Sequence, residues 1–373
     1  MEVSRDHRRP LAAYLKTPAW ADQVNSATDG DVALCSRARL ARNLADYPFP
    51  GRASDRDLRR VAQEVRRAAL ADTEWLGDLS AVALASLSER DRADLVDARR
   101  ISPEMAEPGA ASYALLDDDG TLTVFINEED HVRLQTLAAG NTLIAALKTA
   151  EEAESRLARR LRFAHHPRWG YLTTALSNIG TGLRLSALVH LPALAFLGRL
   201  SETLEAAHQL GISVRGAHGE GSQAAGDLYQ VSNAISYGLT TAHIVRRVRP
   251  VVDYLVAAER EARQEVGERR FEDAMNGARL AWTRIENADR LDAPTALTLL
   301  SALRLVAVAG MALSGRSPVP DATQFATLIA DLRTGGSLSA ESDRHAGPLP
   351  SVRDAIQRPA RIRSALRASF HLL

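Results

Sequence analysis

The sequence predicts an α+β fold followed by an all-helical C-terminal part. Apolar residues recur at three- and four-residue spacing over 54–88, which is typical of an amphipathic helix. Two short apolar runs, 112–116 and 121–126, flank the turn sequence at 117–120, and this arrangement predicts a β-hairpin. From 251 onward almost every segment has helical spacing, so we expect this part of the chain to consist of helices.

Composition and charge exclude several classes of protein. Of the 373 residues, 46% are hydrophobic and 25% are charged, and 46 basic residues balance 46 acidic ones. These values are typical of a globular protein with one large domain or two, and they do not support binding to nucleic acid or to an anionic membrane. The single cysteine, Cys35, excludes an internal disulfide and a multi-cysteine zinc site. Residues 1–10 lack the apolar core of a signal peptide, and we expect a cytoplasmic location.

The first segment with possible chemistry begins just after a predicted strand at 32–34. Arg37 and Arg39 alternate there, so both side chains point to the same face if the segment is extended. One interpretation is a solvated strand face. The other is a pair of guanidinium groups directed at one polyanionic ligand.

A cluster of acids follows the second strand of the predicted hairpin. Glu128, Glu129 and Asp130 are consecutive, and His131 comes next. Loops that follow strands commonly carry catalytic side chains. The alternative is that acids cap a following helix; Asp130 fits that alternative, whereas the two glutamates are not both explained by it.

The segment 170–186 is the centre of the sequence. It joins a predicted strand, 169–174, to a glycine-punctuated turn that ends at Arg184, and helical spacing follows over 184–210. A tight turn that ends at an arginine can direct backbone amides and a guanidinium toward phosphate. A second glycine-rich loop, 214–223, is of the kind that closes over phosphates, although many such loops are only surface turns.

Three further elements are predicted without a chemical role. A long amphipathic helix covers 142–163, and a charged helix covers 88–100. His190 lies in an apolar stretch and is predicted to be a core histidine. The apolar window 297–314 contains Arg304 and is predicted to be a buried helix and not a membrane span.

Four segments occur in the order expected for phosphagen (guanidino) kinases. They are 36–43 (SRARLARN), 127–133 (NEEDHVR), 177–184 (SNIGTGLR) and 215–220 (RGAHGE). The chain most resembles the bacterial branch of that family, the protein-arginine kinases (McsB type), over roughly 29–250. Any one motif is weak evidence, but four in this order are together highly specific.

The resemblance implies a fold, a domain division and two cofactors. The fold is α+β, an antiparallel β-sheet flanked by helices, with ATP and Mg²⁺ bound in a cleft and no metal ligand assigned to the protein. The implied division is an N-terminal helical segment over 1–28, containing a helix at 10–21, a catalytic domain over 29–251 and a helical domain over 252–373.

The resemblance also implies functional residues. The guanidino group would be handled by Glu129 as general base and Glu220 as clamp, with Asn178 as a third catalytic residue. Five arginines would bind the phosphates, and these are Arg37, Arg39, Arg133, Arg184 and Arg215. The other implied nucleotide contacts are Ser36, Ala38, Leu40, Leu185, Ser186, Ala187, Leu188, Gly216, Ala217, His218, Gly219 and Glu220.

The sequence departs from the family in three places. Ala175 occupies the position of a family cysteine whose thiolate tunes the substrate guanidinium, so we expect weakened catalysis, and Leu176 replaces a usual proline. Arg99 or Arg100 stands where the branch has a histidine that contacts the nucleotide. The branch's C-terminal phosphoarginine pocket corresponds to Arg353, Asp354 and Gln357; the last replaces an arginine, which argues against allosteric binding of phosphoarginine.

The implied function is ATP-dependent phosphorylation of arginine side chains in proteins, as part of protein quality control and the stress response. The implied partners are arginine-bearing protein substrates, a zinc-binding activator protein, a heat-shock repressor, a Clp-type protease and a second copy of the chain. Ala175 motivates an alternative, a pseudokinase or adaptor that binds nucleotide or protein. A kinase for a free guanidine is disfavoured, because only thirty-five residues precede Ser36.

Overall fold

The structure of the protein is a computed structural model. It describes Tyr14 and residues 19–72, 74–97, 100–109, 111–216, 224–314, 325, 327–328 and 350–366; for 77, 97, 311–314 and 350–356 only the backbone is described.

An eight-stranded sheet forms the centre of the molecule, in the order β2-β3-β4-β5-β1-β8-β10-β9, and each neighbouring pair is antiparallel. A separate two-stranded ribbon, β6-β7, lies between β5 and β8 in the chain. The strands are β1 (Ala33–Arg42), β2 (Ser80–Ala83), β3 (Tyr113–Leu116), β4 (Leu122–Ile126), β5 (Val132–Ala139), β6 (His165–His166), β7 (Gly170–Tyr171), β8 (Leu183–His190), β9 (Ile212–Gly216) and β10 (Leu228–Asn233).

Several helices cover one face of the sheet, whereas the helix over 89–97 packs on the other face, where Leu95 shares a small core with Ala114, Leu116 and Phe125. The α-helices whose bounds lie within the described residues are α1 (Ala19–Gln23), α2 (Asp55–Leu70), α3 (Glu89–Asp97), α4 (Leu143–Ala158), α5 (Pro192–Phe196), α6 (Leu200–Gln209), α7 (Thr241–Arg269), α8 (Phe271–Asn287), α9 (Ala293–Ser314) and α10 (Pro350–Leu366). Helix α4 packs against β1 and β5, and α7 packs against β8 and β10. Buried alanines and leucines of α4 meet Ala38 and Leu40 of β1 in one core.

The α+β prediction is confirmed, and the hairpin lies where it was predicted. Strands β3 and β4 pair from Tyr113 with Ile126 to Leu116 with Thr123. The carboxylate of Asp117 accepts hydrogen bonds from the backbone N–H groups of Gly120, Thr121 and Leu122, so it stabilises the turn.

Two predicted helices were partly wrong. The predicted helix over 54–88 ends at Leu70, and 80–83 forms edge strand β2. The helical spacing over 184–210 is interrupted, because 183–190 is the buried strand β8 and helix begins only at Pro192. Seven of the eight residues of β8 are buried, and the spacing of a short buried run does not distinguish a strand from a buried helix.

The C-terminal part is helical where the structure describes it. Helix α7 runs without a break through Pro250, because buried residues on both sides, Val248 and Val251, hold the helix in place. The boundary that we predict between 251 and 252 lies within this helix, and the domain division stays a prediction. Helix α9 is long and apolar enough to cross a membrane, but 72% of its 18-residue window is buried against the rest of the chain, as expected for a core helix. The predicted helix over 10–21 lies mostly outside the described residues.

Candidate active site

Four strands bring arginines to the sheet face opposite α4 and α7. Arg37 and Arg39 alternate on β1 with the buried residues Ala38 and Leu40, so both guanidinium groups lie on the same face. Residues that are paired across neighbouring strands share a face, and Arg39 is paired with Arg184 of β8. The same rule assigns Arg133 of β5 and Arg215 of β9 to this face. We call these five arginines the open-face arginines.

The open-face arginines are close enough to repel one another. Burial lowers the pKa of Arg39 to about 8, and the positive charges of Arg37, Arg133 and Arg184 add to this effect. Burial also lowers the pKa of Arg184, with repulsion from Arg215 and Arg133. Such a concentration of positive charge in a partly buried position favours the binding of a polyanionic ligand.

A tight turn between β4 and β5 places a carboxylate beside these arginines. Asn127 has a φ of +56°, and its N–H donates to the carbonyl oxygen of His131, which closes the turn. Glu128 is buried and forms an ion pair with Arg133, and Ser102 donates its hydroxyl to the same carboxylate oxygen at 2.7 Å. Glu128 therefore fixes the position of Arg133.

Glu129 lies on the exposed side of the same turn. Partial burial of its carboxyl group and the negative charge of Asp130 raise the pKa of Glu129 above 4.5, although Arg133 and Arg39 act in the opposite direction. Glu129 lines a cleft of about 500 Å³ together with Glu128 and Arg133. A carboxylate with a raised pKa at the edge of a cationic site is suited to accept a proton.

Asp130 does not cap a helix, and that interpretation was wrong because 132–139 is strand β5. Its buried carboxylate accepts hydrogen bonds from the side-chain amide of Asn43, at 2.6 Å, and from the N–H of Thr174, at 2.7 Å. Asn43 in turn accepts from the N–H of His131 at 2.9 Å. We call this set of hydrogen bonds the lock. It connects the end of β1, the acidic turn (127–131) and the central segment (170–186).

His131 is part of the same lock and is fully buried. The backbone N–H of Leu44 donates to its Nδ1 at 3.2 Å, and burial lowers its pKa to about 4. The imidazole is therefore neutral at physiological pH and has a structural role.

The central segment passes beside the acidic turn. Of the predicted strand 169–174 only Gly170–Tyr171 is a strand, and a single 3₁₀ turn covers Leu176–Asn178. Asn178 is half-buried, and Leu176 is 79% exposed. Gly180 has a φ of +107°, and a Cβ there would lie 2.8 Å from the carbonyl oxygen of Ser236, so only glycine fits.

Other predicted nucleotide contacts lie on the sheet's buried face. Ser36, Ala38 and Leu40 alternate with the arginines of β1, and Ser36 donates its hydroxyl to the carbonyl oxygen of Gly140. Leu185 and Ala187 of β8 are buried in the same core. A ligand on the arginine face could reach only the backbone of these residues. Ser186 and Leu188 are also buried, but the strand register places their side chains on the arginine face.

Several predicted residues lie outside the described part of the chain. Arg215 and Gly216 end β9, and the rest of the loop, Ala217, His218, Gly219 and Glu220, is not described. The same holds for Arg99 and for the side chains of Arg353 and Asp354. Gln357 accepts a hydrogen bond from Arg361 at 3.0 Å. Arg100 is buried and forms an ion pair with the turn residue Asp117.

Sequence reasoning did not assign a role to several residues that organise the site. Asn43 and Glu128 belong to the motifs, but neither was given an individual role. The sequence feature that could have identified them is a polar residue directly next to an apolar strand. Arg42 is 3% exposed, lies over the ring of Tyr171 at 3.6 Å and donates to the carbonyl oxygen of Thr181 at 3.0 Å. Ser232 accepts from Arg184 at 3.3 Å across the strand pair β8-β10, a contact without a sequence signal.

The chain matches one family model and several relatives. The model, described as the C-terminal catalytic domain of ATP:guanido phosphotransferase, matches residues 60–262. A protein-arginine kinase from Caldanaerobacter subterraneus subsp. tengcongensis is 34% identical over 284 residues, which are 76% of this chain and 84% of that protein. A protein-arginine kinase from Symbiobacterium thermophilum is 35% identical over 342 residues, 91% of this chain and 94% of that protein.

Solved structures of phosphagen kinases share the fold. The substrate-free duplicated taurocyamine kinase from Schistosoma mansoni has a TM-score of 0.56 and 26% identity over 66% of this chain and 35% of that duplicated chain. A lombricine kinase has a TM-score of 0.56 and 22% identity over 65% of this chain and 71% of its own. The motifs that form the arginine face and the acidic turn occur in the order that the family has. Together with the family model and the relatives above, they show that the chain belongs to the ATP:guanido phosphotransferase family.

Proposed function

We propose that the protein is a protein-arginine kinase, which transfers the γ-phosphoryl group of ATP to an arginine side chain of a protein. The observation that carries the proposal is the position of Glu129 in one cleft with Arg133 and near Arg39, at the edge of arginines that repel one another. Relatives at 34% and 35% identity are called protein-arginine kinases, which supports the choice of acceptor.

Arginines form the donor half of the proposed site. Their guanidinium groups bind phosphate oxygens with forked hydrogen bonds and neutralise the charge of the moving phosphoryl group. Arg39 and Arg184 have lowered pKa values through burial and mutual repulsion, and a bound polyphosphate would remove that repulsion. The lock of Asn43 and Asp130 and the ion pair of Glu128 with Arg133 hold the two halves of the site in a fixed geometry.

Glu129 forms the acceptor half of the proposed site. A guanidinium is protonated at neutral pH and is not a nucleophile, so a carboxylate must hold it and remove a proton as its nitrogen attacks. The new bond joins that nitrogen to the γ-phosphorus, the bond from the γ-phosphorus to the bridging oxygen breaks, and ADP leaves. The proton goes to Glu129. Glu220 would clamp the guanidinium, and Asn178 would orient it.

The residues present fit a magnesium ion that binds mainly through the phosphates. Mg²⁺ usually keeps several waters and takes one or two carboxylates in addition to substrate phosphates. Glu128 has a buried carboxylate oxygen without a hydrogen-bond partner next to Arg133. Among the described residues there is no cluster of three metal-ligating side chains. When bound, Mg²⁺ neutralises charge on the transferred group.

The finer features implied by the resemblance stay proposals. These are the cytoplasmic location, the division at 28/29 and 251/252, the homodimer, and partnership with a zinc-binding activator, a heat-shock repressor and a Clp-type protease. Roles in quality control and the stress response follow from those partners.

One incubation tests the proposed function. The protein is mixed with ATP, Mg²⁺ and either free arginine or an unfolded arginine-rich protein, and acid-labile phosphate is measured in each acceptor. We expect phosphate on the protein and little on free arginine. Transfer only to free arginine would identify a metabolite kinase, and nucleotide binding without transfer to either acceptor would identify an adaptor.

A further inference from the structure

Three large apolar side chains are exposed on the central turn and on the segment that is hydrogen-bonded to it. Leu176 is 79% exposed, Ile235 is 50% exposed and Tyr237 is 53% exposed. Leu176 belongs to the 3₁₀ turn of the central segment, and the other two follow strand β10. We call these three residues the apolar rim.

The apolar rim belongs to two segments that are joined by hydrogen bonds. The N–H of Ser236, between Ile235 and Tyr237, donates to the carbonyl oxygen of Ser177 at 3.1 Å. Its hydroxyl donates to the carbonyl oxygen of Ile179 at 2.9 Å. The exposed side chains are therefore attached to a fixed backbone, which reduces the ordering entropy that binding would otherwise lose.

The apolar rim is continuous with the acidic turn. The N–H of Thr174 donates to Asp130, the neighbour of Glu129, at 2.7 Å. Leu176 is two residues farther along, and two residues span at most about 7 Å of chain. The cleft of about 500 Å³ that Glu129 lines with Arg133 is also lined by Glu104 and Glu107. These carboxylates attract a cationic side chain of a substrate protein, and the substrate backbone next to that side chain would pass the apolar rim.

We propose that the apolar rim binds aliphatic or aromatic side chains next to the acceptor arginine, and that it selects among arginines in protein substrates. This inference rests on the proposed function, because it takes the acceptor to be part of a polypeptide. Burying one such side chain against the rim should strengthen binding by about tenfold.

The test measures peptide binding separately from phosphoryl transfer. Two fluorescein-labelled peptides carry one arginine flanked on both sides by leucines or by serines, and their binding to the full-length protein is followed by fluorescence anisotropy. We expect about tenfold tighter binding of the leucine-flanked peptide. The double variant Leu176→Ser with Tyr237→Ser should reduce this preference to less than twofold. The control Leu210→Ser changes a leucine that is 62% exposed after α6 and should keep the preference.

The outcomes separate this inference from the proposed function. No preference in the wild-type protein, or a preference that survives the double variant, would overturn the inference even if both peptides are phosphorylated. If the double variant instead dissociates a dimer in sedimentation experiments and the preference stays, the rim binds a second copy and the inference is wrong. A preference lost in the double variant, with transfer to neither peptide, would show that the rim binds peptides but would overturn the proposed function and, with it, the selection of acceptor arginines.

Discussion

Two arginine clusters in this protein differ in how their charge is balanced. One consists of the open-face arginines. The other is built around three buried groups, Arg263 of α7, Arg304 of α9 and Glu259, and we call it the buried cluster. It continues to the surface through Arg260, Asp29 and Asp31.

Each arginine of the buried cluster has an acidic or carbonyl partner. Arg263 contacts Asp31 at 3.0 Å and Glu259 at 2.9 Å, and Arg304 donates to the carbonyl oxygen of Asp31 at 2.7 Å. Glu259 also accepts from the N–H groups of Ala193 and Leu194, both at 3.1 Å, so it caps α5. Three positive and three negative groups balance, and this cluster stabilises the packing of helices.

The open-face arginines lack this balance. Among the described residues, Glu128 pairs with Arg133, and Glu129 interacts with Arg133 and Arg39. Burial lowers the pKa of Arg39 and of Arg184, and the neighbours that lower these pKa values further are other arginines. An arginine cluster indicates a ligand site when its positive charges outnumber the carboxylates around it, as they do here among the described residues. Variants in the two clusters should therefore have opposite effects on activity and stability.

The largest effect is expected for Arg184→Met in the open-face cluster. An arginine that stabilises the transferred phosphoryl group contributes a thousandfold or more, so kcat should fall by at least about a thousandfold. The melting temperature should stay the same or rise, since the change removes repulsion with Arg133 and Arg215. Steady-state kinetics and thermal unfolding measure both quantities. Arg199→Met, which breaks a surface pair with Glu265, is the control, and a loss of less than tenfold in Arg184→Met would contradict the comparison.

The next effect concerns Glu129→Gln. Removal of a general base should lower kcat by about a hundredfold to ten-thousandfold and leave nucleotide affinity nearly unchanged. The base must be deprotonated to act, and its pKa is raised above 4.5. In the wild-type protein kcat/KM should therefore fall as the pH is lowered, and the midpoint of this fall should lie at a pH above 4.5. The control is Glu151→Gln on α4, whose carboxyl pKa is also raised by burial. Near-normal turnover in Glu129→Gln would remove Glu129 from this role.

In the buried cluster, Glu259→Gln should change stability and not chemistry. Loss of one partner of a buried pair costs about 3–5 kcal/mol, because Arg263 would keep its charge without full compensation. Chemical denaturation should show this loss, and kcat per folded molecule should be unchanged. Glu261→Gln alters an exposed residue of the same helix and is the matched control. If Glu259→Gln is fully stable, the balance of charges in the buried cluster does not matter for folding.

The sequence predicted the open-face cluster better than the buried one, for a physical reason. The two-residue period of a strand assigns Arg37 and Arg39 to one face without any knowledge of their neighbours. Arg263 and Arg304 are separated from Asp31 by more than two hundred residues, and only the packing of α7 and α9 brings them together. His190 was predicted as a core residue, and its bond to Ser301 at 2.9 Å on α9 confirms this.

Two predictions about the site were wrong because the sequence around each residue matched a different structure. Asp130 matched a helix cap in sequence, but its partners, Asn43 and Thr174, lie far away in the chain, and the strand that follows was not recognised. Strand β8 was not recognised because it is short and almost entirely buried, and apolar residues of the following helix continue its run. The apolar rim could not be predicted, since the exposure of Leu176 depends on how the central turn lies against Ser236.

The smallest effect is expected for Ala175→Cys. Ala175 lies in the central segment one residue after Thr174, which is bonded to the acidic turn, so a thiolate there would add negative charge close to Glu129. One pKa unit of differential interaction corresponds to about tenfold, and we expect kcat to rise by no more than about tenfold. Ala175→Ser, which adds a similar side chain that stays neutral, should leave kcat unchanged. A gain in Ala175→Cys that disappears below the pKa of the thiol would show that the charge of the thiolate causes the gain. A thousandfold gain would instead mean that the wild-type chain is an adaptor with an incomplete active site.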